Sequence, residues 1–428
     1  MRLRPVPLLA GAAALWAAAA VGTAQSVENP SMLRDHPAIG YLIRSTGDPI
    51  ATLSRRLRQG ELTLAFEPVH GYLRALLGEL HVPVSSQVLV YSKTSFQAPR
   101  ISPRNPRTIY FNDAVAVGWV RTGEVLELIA HDPVQGPMFY TLEQVPGGRP
   151  SITRNLVCLT CHTAEATRNV PGLLLGSVYP DADGNPLFGP SYTTDHRTPY
   201  AQRWGGWYVT GRHGIDGHLG NAQATDPKDL PAMVTPATAH VTSLEGRFAP
   251  EGYLSTGSDV VALMTLEHQA MMQNLITRLG WEARIGAAAG RPLAAAANEF
   301  VDYLLFVDEP RLPGPVDASA FAREFAALGP RDRQGRSLRQ FDLRTRLMKY
   351  PCSYMIHSDA FAALPVDARQ AVFDRLSAVL AGAETSPRYA ALSPDDRAAV
   401  AAILRDTVPG LPPSFARPAP PAAGRVTP

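Results

Sequence analysis

Two cysteines and a histidine lie together in the hexapeptide VCLTCH at residues 157–162. Cys158 and Cys161 are separated by two residues, and His162 follows directly. Thiols at this spacing can add to the two vinyl groups of one porphyrin, and the next imidazole can then turn toward the iron. The pattern therefore predicts one covalently bound haem c, attached through Cys158 and Cys161, with His162 as the proximal iron ligand.

Two other uses of a Cys-x-x-Cys pair have to be weighed against haem. A redox dithiol is expected at the start of a helix that follows a strand, whereas the flanks of this motif are rich in Gly and Pro. A structural zinc site needs four protein ligands, and the sequence has three cysteines with no second pair to complete such a site. Haem attachment is the favoured interpretation.

The second axial position of the iron has one leading candidate. Residues 258–279 carry apolar residues at spacings of three and four, which predicts a helix, and His268 lies on the apolar stripe with Met264 and Met272 one turn away on either side. His268 is the candidate distal iron ligand, with a neighbouring Met or His213, His218 or Met233 as weaker ones. The alternative is that His268 is a core histidine bonded to a backbone carbonyl.

Residues 195–218 form a second cluster of potential haem contacts. Arg197 and Arg203 could pair with haem propionates, and Trp204 and Trp207 could pack on the porphyrin edge. The alternative is an aromatic-rich loop that packs on the surface.

Cys352 stands apart from the motif, so a buried inert thiol is favoured over a redox-active one.

The N-terminus predicts export. Arg2 and Arg4 precede an apolar run at residues 7–21, and small residues follow at 22–24, so residues 1–24 are interpreted as a signal peptide. The mature protein is then periplasmic or secreted, or anchored to the membrane if the signal is not cleaved; a buried N-terminal helix is the alternative. No later stretch is long and apolar enough to span a membrane.

Composition and patterning predict an α+β protein. Lys and Arg total 40 against 38 Asp and Glu, a net charge of +2, which gives no electrostatic case for binding nucleic acid. Residues 25–150 predict short helices and an antiparallel β meander with strands at 87–92, 108–111, 114–120, 125–129 and 138–142. Residues 151–255 form an irregular haem-attachment region. Residues 256–408 predict helices at 258–279, 293–306, 318–328, 366–380 and 394–406, and residues 409–428 a disordered Pro-rich tail.

The signal segment, the motif and the V-P-G sequence at residues 170–172 together resemble bacterial secreted proteins that have a cytochrome c domain. The resemblance implies thioethers at Cys158 and Cys161, His162 as proximal ligand, and one-electron transfer with a redox partner protein or a small-molecule donor or acceptor. In the small all-helical cytochrome c domain the motif lies near the start, whereas here it lies well inside the chain. A haem-dependent oxidoreductase acting on peroxide, oxygen or sulfur compounds, and a haem-based gas sensor, remain alternatives, and the sequence leaves open whether the protein is an enzyme.

Overall fold

The computed structural model describes residues 34–187, 189, 191–286, 292–384 and 386–415. The signal peptide expected at residues 1–24 lies outside the described residues. Most of the expected C-terminal tail, from residue 416 onward, also lies outside them.

A seven-stranded antiparallel sheet forms the centre of the N-terminal half. Its strand order is β6-β5-β4-β3-β2-β1-β9, so the meander is extended at one edge by β9, which arrives from the irregular middle region. Strands β7 and β8 pair separately. The strand bounds are β1 Val88–Val90, β2 Arg107–Phe111, β3 Val115–Trp119, β4 Val125–Asp132, β5 Gly136–Glu143, β6 Ile152–Arg154, β7 Leu175–Ser177, β8 Tyr192–Thr194 and β9 Trp207–Tyr208.

The two faces of the sheet pack against different layers, because side chains alternate along each strand. One face carries Tyr110, Val117 and Leu128 and packs on the N-terminal helices. We call the other the motif face; it carries Ile109 and Ile129, which are only partly buried.

The helices surround one long central helix. Helix α5 spans 27 residues and is buried on nearly all sides, so it lies inside the protein rather than on its surface. The helix bounds are α1 Pro49–Gln59, α2 Leu73–Glu79, α3 Leu159–His162, α4 Pro236–Ala239, α5 Val260–Gly286, α6 Ala294–Leu304, α7 Ala320–Ala327, α8 Asp359–Ala362, α9 Val366–Leu380 and α10 Pro394–Thr407.

Helix α5 crosses the sheet at the turn that joins β2 to β3. The side-chain amides of Gln269 and Gln273 donate to the backbone carbonyls of Asn112 and Asp113, each at 2.7 Å. The buried amides thereby keep hydrogen-bond partners, and the sheet and the helical part are held in a fixed relation.

The α+β class predicted from sequence is confirmed, with the sheet in the first half, little regular structure around the motif, and helices at the end. The five predicted strands and the five long predicted helices are all present within a few residues of the expected bounds, apart from α5, which runs seven residues further, to Gly286. Among the described residues, no helix combines the length and hydropathy needed to cross a bilayer.

Candidate functional site

The two cysteines and the histidine of the motif lie on one turn of helix. Cys158 ends a short 3-10 helix and has helical dihedral angles (φ −56°, ψ −30°), and α3 continues to His162. Residues three and four positions apart in a helix share a face, so Cys161 and His162 lie on the same side as Cys158. This is the arrangement that a single porphyrin attached to all three side chains requires.

The imidazole of His162 is held by a backbone carbonyl. Its Nδ1 lies 2.8 Å from the carbonyl oxygen of Gly172, so Nδ1 carries the proton and donates it, and Nε2 keeps its lone pair. Burial lowers the pKa of His162 below its ordinary value, which favours the same neutral form. Histidines that bind metals through one nitrogen commonly donate the other N–H in this way.

The carbonyl of Gly172 is itself fixed by α5. The side-chain amide of Asn274 accepts from the backbone N–H of Leu173 at 2.8 Å and donates to the Leu173 carbonyl at 2.7 Å. A Cβ added to Gly172 would lie 2.4 Å from Oδ1 of Asn274 and 2.8 Å from Cβ of Thr167. Only glycine allows the chain to approach α5 this closely.

On its other side the motif faces the sheet. The ring of His162 contacts that of Phe139 on β5, with centroids 4.9 Å apart. Phe139 lies opposite Ile129 on β4, so Glu127, two residues before Ile129, is on the same face and diagonal to Phe139. Glu127 pairs with Arg107 at 3.1 Å.

The two cysteines differ in their surroundings. Cys158 is partly buried and Cys161 is exposed, and the neighbouring Leu156 and Val157 are 48% and 71% exposed. Burial raises the pKa of Cys158 to about 11, and the carboxylate of Glu127 adds to the rise. A thiol with a raised pKa is largely protonated at neutral pH, so Cys158 lacks the lowered pKa that is typical of the attacking thiol of a redox pair. Among the described residues, there is no group of three or more His, Cys, Asp or Glu side chains that could hold a metal ion.

His268, the candidate distal ligand, lies in the helical core rather than beside the motif. Its Nδ1 is 2.7 Å from Nδ1 of His196 and its Nε2 is 2.7 Å from the hydroxyl of Ser353. The two imidazoles stack with Tyr303 and Phe306. His268 is 0% exposed, so this arrangement favours the alternative of a core histidine, although the side chains of His196 and Ser353 are its partners and not the expected backbone carbonyl. The flanking Met264 and Met272 are also buried in this core.

The loop at residues 195–218 packs onto α5. Arg203 is buried and pairs with the carboxylate of Glu267 at 3.1 Å, and it also donates to the carbonyl of His196. Trp204 is 1% exposed, and Arg197 pairs with Asp195. These arginines are therefore engaged within the protein and give no support to the expected contacts with haem propionates.

The weaker ligand candidates have partners in other parts of the protein. His218 donates from Nε2 to the carbonyl of Ala239 and accepts at Nδ1 from the N–H of Gly220. His213 accepts at Nδ1 from the N–H of Ile215. Met233 belongs to a small separate cluster with Leu219, Ala222 and Ala224.

Cys352 lies in the helical core and is 0% exposed. Burial raises the pKa of its thiol well above the ordinary value. The environment favours the interpretation of an inert buried thiol over a redox-active one.

Several residues that surround the motif in the structure could not be identified from the sequence alone. Asn274, Phe139, Arg107 and Glu127 come from distant parts of the chain, and their types are common in helices and strands. Gly172 was part of the resemblance, in the V-P-G segment, but its role as the acceptor for His162 was not predicted.

Comparison of the chain with protein-family models, with curated proteins and with solved structures finds no significant match.

The close approach of Gly172 to α5 gives a stability prediction. Gly172→Ala should destabilise the protein by about 1–3 kcal/mol, because the new methyl group forces Asn274 or Thr167 to move. Urea unfolding followed by circular dichroism measures the loss. Gly176→Ala is the matched control, because a Cβ there meets no atom within 4 Å. Equal midpoints for the two variants would contradict the packing described here.

The buried histidine pair gives a prediction on pH. Burial lowers the pKa of His268 to about 3, whereas in the unfolded chain a histidine titrates near its ordinary 6.5. As pH falls from 6.5 toward 3 the unfolded state takes up a proton that the folded state does not, so stability is lost over that window. The slope from one such histidine reaches about 1.4 kcal/mol per pH unit.

His268→Gln should therefore be less stable at pH 7 and lose less stability between pH 6.5 and 4.5 than the wild-type protein. The exposed His81 provides the control, as His81→Asn. The free energy of unfolding in urea at several pH values measures both slopes, and parallel slopes for wild type and His268→Gln would disprove the prediction.

Proposed function

We propose that the protein is an exported monohaem c-type cytochrome that passes one electron at a time between a donor and an acceptor. The observation that carries the proposal is the geometry of the motif: Cys158, Cys161 and His162 share one face of a helical turn, and a carbonyl holds His162 with Nε2 free to bind. When bound, haem would supply a one-electron iron couple.

The chain's own residues fit the group in three respects. Cys158 is partly buried and Cys161 is exposed, so a porphyrin attached to both would have an edge at the surface. The neutral His162 has the protonation state that binds iron. The hydrogen bond from His162 to Gly172 would make the imidazole a more basic ligand and so would favour a lower reduction potential when haem is bound.

Export and partners follow from the chemistry. Covalent haem attachment in bacteria takes place outside the cytoplasm, which agrees with the signal peptide expected at residues 1–24. We place the protein in the periplasm or outside the cell, anchored to the membrane if the signal is retained. Its partner would be a redox protein or a small-molecule donor or acceptor.

Removing the two motif thiols should abolish covalent haem. Cys158→Ala with Cys161→Ala, produced with a haem-attachment system, should give no haem stain on a denaturing gel, because no thioether can form. Cys352→Ala is the control, because it removes the remaining thiol and should keep full staining. A stained double variant, or a wild-type protein without stain, would overturn the proposed function.

His162→Ala should leave the thioethers and change the iron spectrum. We expect covalent haem on the gel together with an altered Soret band, because the nitrogen that binds iron is gone. An absorption spectrum identical to that of the wild-type holoprotein would remove His162 from the ligand set.

A further inference from the structure

We propose that a groove between α9 and α10 binds an elongated organic dicarboxylate, whose two carboxylates pair with Arg397 and Arg405. The groove lies in the helical end of the chain, and none of its walls belongs to the motif or to the segments that hold His162. Its binding function does not depend on whether the chain carries haem.

Three segments of the chain form the walls of this groove, which has a volume of about 470 Å³. One wall is the last turn of α9, the second is a face of α10, and the third is the segment at residues 414–415. Ser377 on α9 donates to the carbonyl of Ser414 at 3.3 Å, and the ring of Phe415 contacts that of Phe373. The third wall is therefore held against α9 by side-chain contacts.

The face of α10 that lines the groove has small side chains between two arginines. Arg397, Ala401 and Arg405 follow one another at every fourth position, so they lie on one side of the helix. Ala398 also lines the groove, and Leu380 of α9 adds an apolar side chain. Residues 397 and 405 are separated by two helical turns, or about 11–12 Å along the axis. A bound molecule would meet a mainly apolar floor with a positive charge near each end.

The side chain of Arg405 has no partner in the part of the chain that the structure describes. It makes no hydrogen bond or ion pair there, although it is partly buried. The adjacent carboxylate of Asp406 pairs with Arg333 at 3.4 Å. The guanidinium of Arg405 therefore keeps its donors for a ligand in the groove.

Arg397 is anchored and still has a donor available. One terminal nitrogen donates to the carbonyl of Tyr389 at 3.3 Å, whereas Nε is buried and has no hydrogen-bond partner among the described residues. The other terminal nitrogen lies 3.2 Å from the position of a Cβ added to Gly382, so this glycine leaves space for the guanidinium. The neighbouring Asp396 is paired with Arg346. Arg397 is thus held in place without a carboxylate partner of its own.

The charges in the groove indicate the class of ligand. Among the described residues that line it, Arg397 and Arg405 are the charged ones, and none is Asp or Glu. Guanidinium groups pair with carboxylates through two parallel hydrogen bonds, and the apolar floor suits a hydrocarbon chain. Residues 416–428, which follow the third wall in sequence, contain two arginines and no Asp or Glu, so their charge does not complement the groove. A dicarboxylate with an apolar middle complements both its charge and its floor.

Calorimetric titration of the full-length protein tests this assignment. The probe is sebacate, a linear ten-carbon dicarboxylate, and the comparison ligand is decanoate, which has the same number of carbons and a single carboxylate. We expect sebacate to bind with submillimolar affinity and decanoate to bind about tenfold more weakly, because it can pair with only one arginine. High salt should weaken the binding of sebacate, because it screens both ion pairs.

Two variants separate the contribution of charge from that of shape. Arg405→Ala should weaken sebacate binding about tenfold or more and leave the unfolding midpoint unchanged, because this side chain has no partner within the described residues. Ala401→Leu keeps both arginines and should also weaken binding, because the larger side chain fills the floor of the groove. The controls are Arg55→Ala on α1 and Ala399→Leu, which lies on α10 outside the groove; neither should change the affinity.

Several outcomes would contradict this assignment. Absence of binding at millimolar sebacate overturns it, and so does an affinity that is the same in the wild type, Arg405→Ala and Ala401→Leu. Equal affinities for sebacate and decanoate overturn the dicarboxylate class. Binding that appears only after residues 416–428 are removed assigns the groove to that segment instead. Because these titrations do not involve haem, their failure leaves the cytochrome proposal standing, and a protein without covalent haem leaves this site unaffected.

Discussion

The pair of hydrogen bonds between Asn274 and the backbone of Leu173 is the interaction on which the arrangement of the site depends. The region from residue 151 to 255 has few regular elements, so its backbone groups need partners from elsewhere. Asn274 supplies both a donor and an acceptor from the middle of a buried helix. Leaving that amide unpaired would cost about 1–3 kcal/mol, so the segment is strongly held to α5. The carbonyl that orients His162 belongs to Gly172, the residue directly before Leu173.

Helix α5 positions other segments of the chain besides the one that follows the motif. It is too buried to be amphipathic in the usual sense, and the polar residues along it are used to hold irregular segments rather than to face water. Gln269 and Gln273 hold the turn between β2 and β3, Asn274 holds the segment after the motif, and Glu267 holds the 195–218 loop through Arg203. One rigid helix thus sets the distance between the sheet and the segment that carries His162.

The sequence predicts what is encoded over short distances. The meander strands and the long helices follow from alternation and from the spacing of apolar residues, and the motif is recognisable because its three side chains lie within one turn. Strands β6 and β9 have three and two residues, too few for a pattern, and β9 joins β1 by a contact distant in sequence. His268 satisfied the local pattern of a ligand, but its neighbours His196 and Ser353 are separated from it by 72 and 85 residues. The same limit applies to Asn274, whose role depends on contacts with Leu173, 101 residues away.

The ion pair of Arg107 and Glu127 adds little to stability, because the side chains are only 20% and 16% exposed and the cost of removing them from water offsets much of their attraction. An apolar pair of similar size would stabilise the sheet at least as well. A glycine at position 118 makes room for this pair, and Ser95 and Gln97 hold its carboxylate. Folding alone therefore does not account for the charged pair at this position.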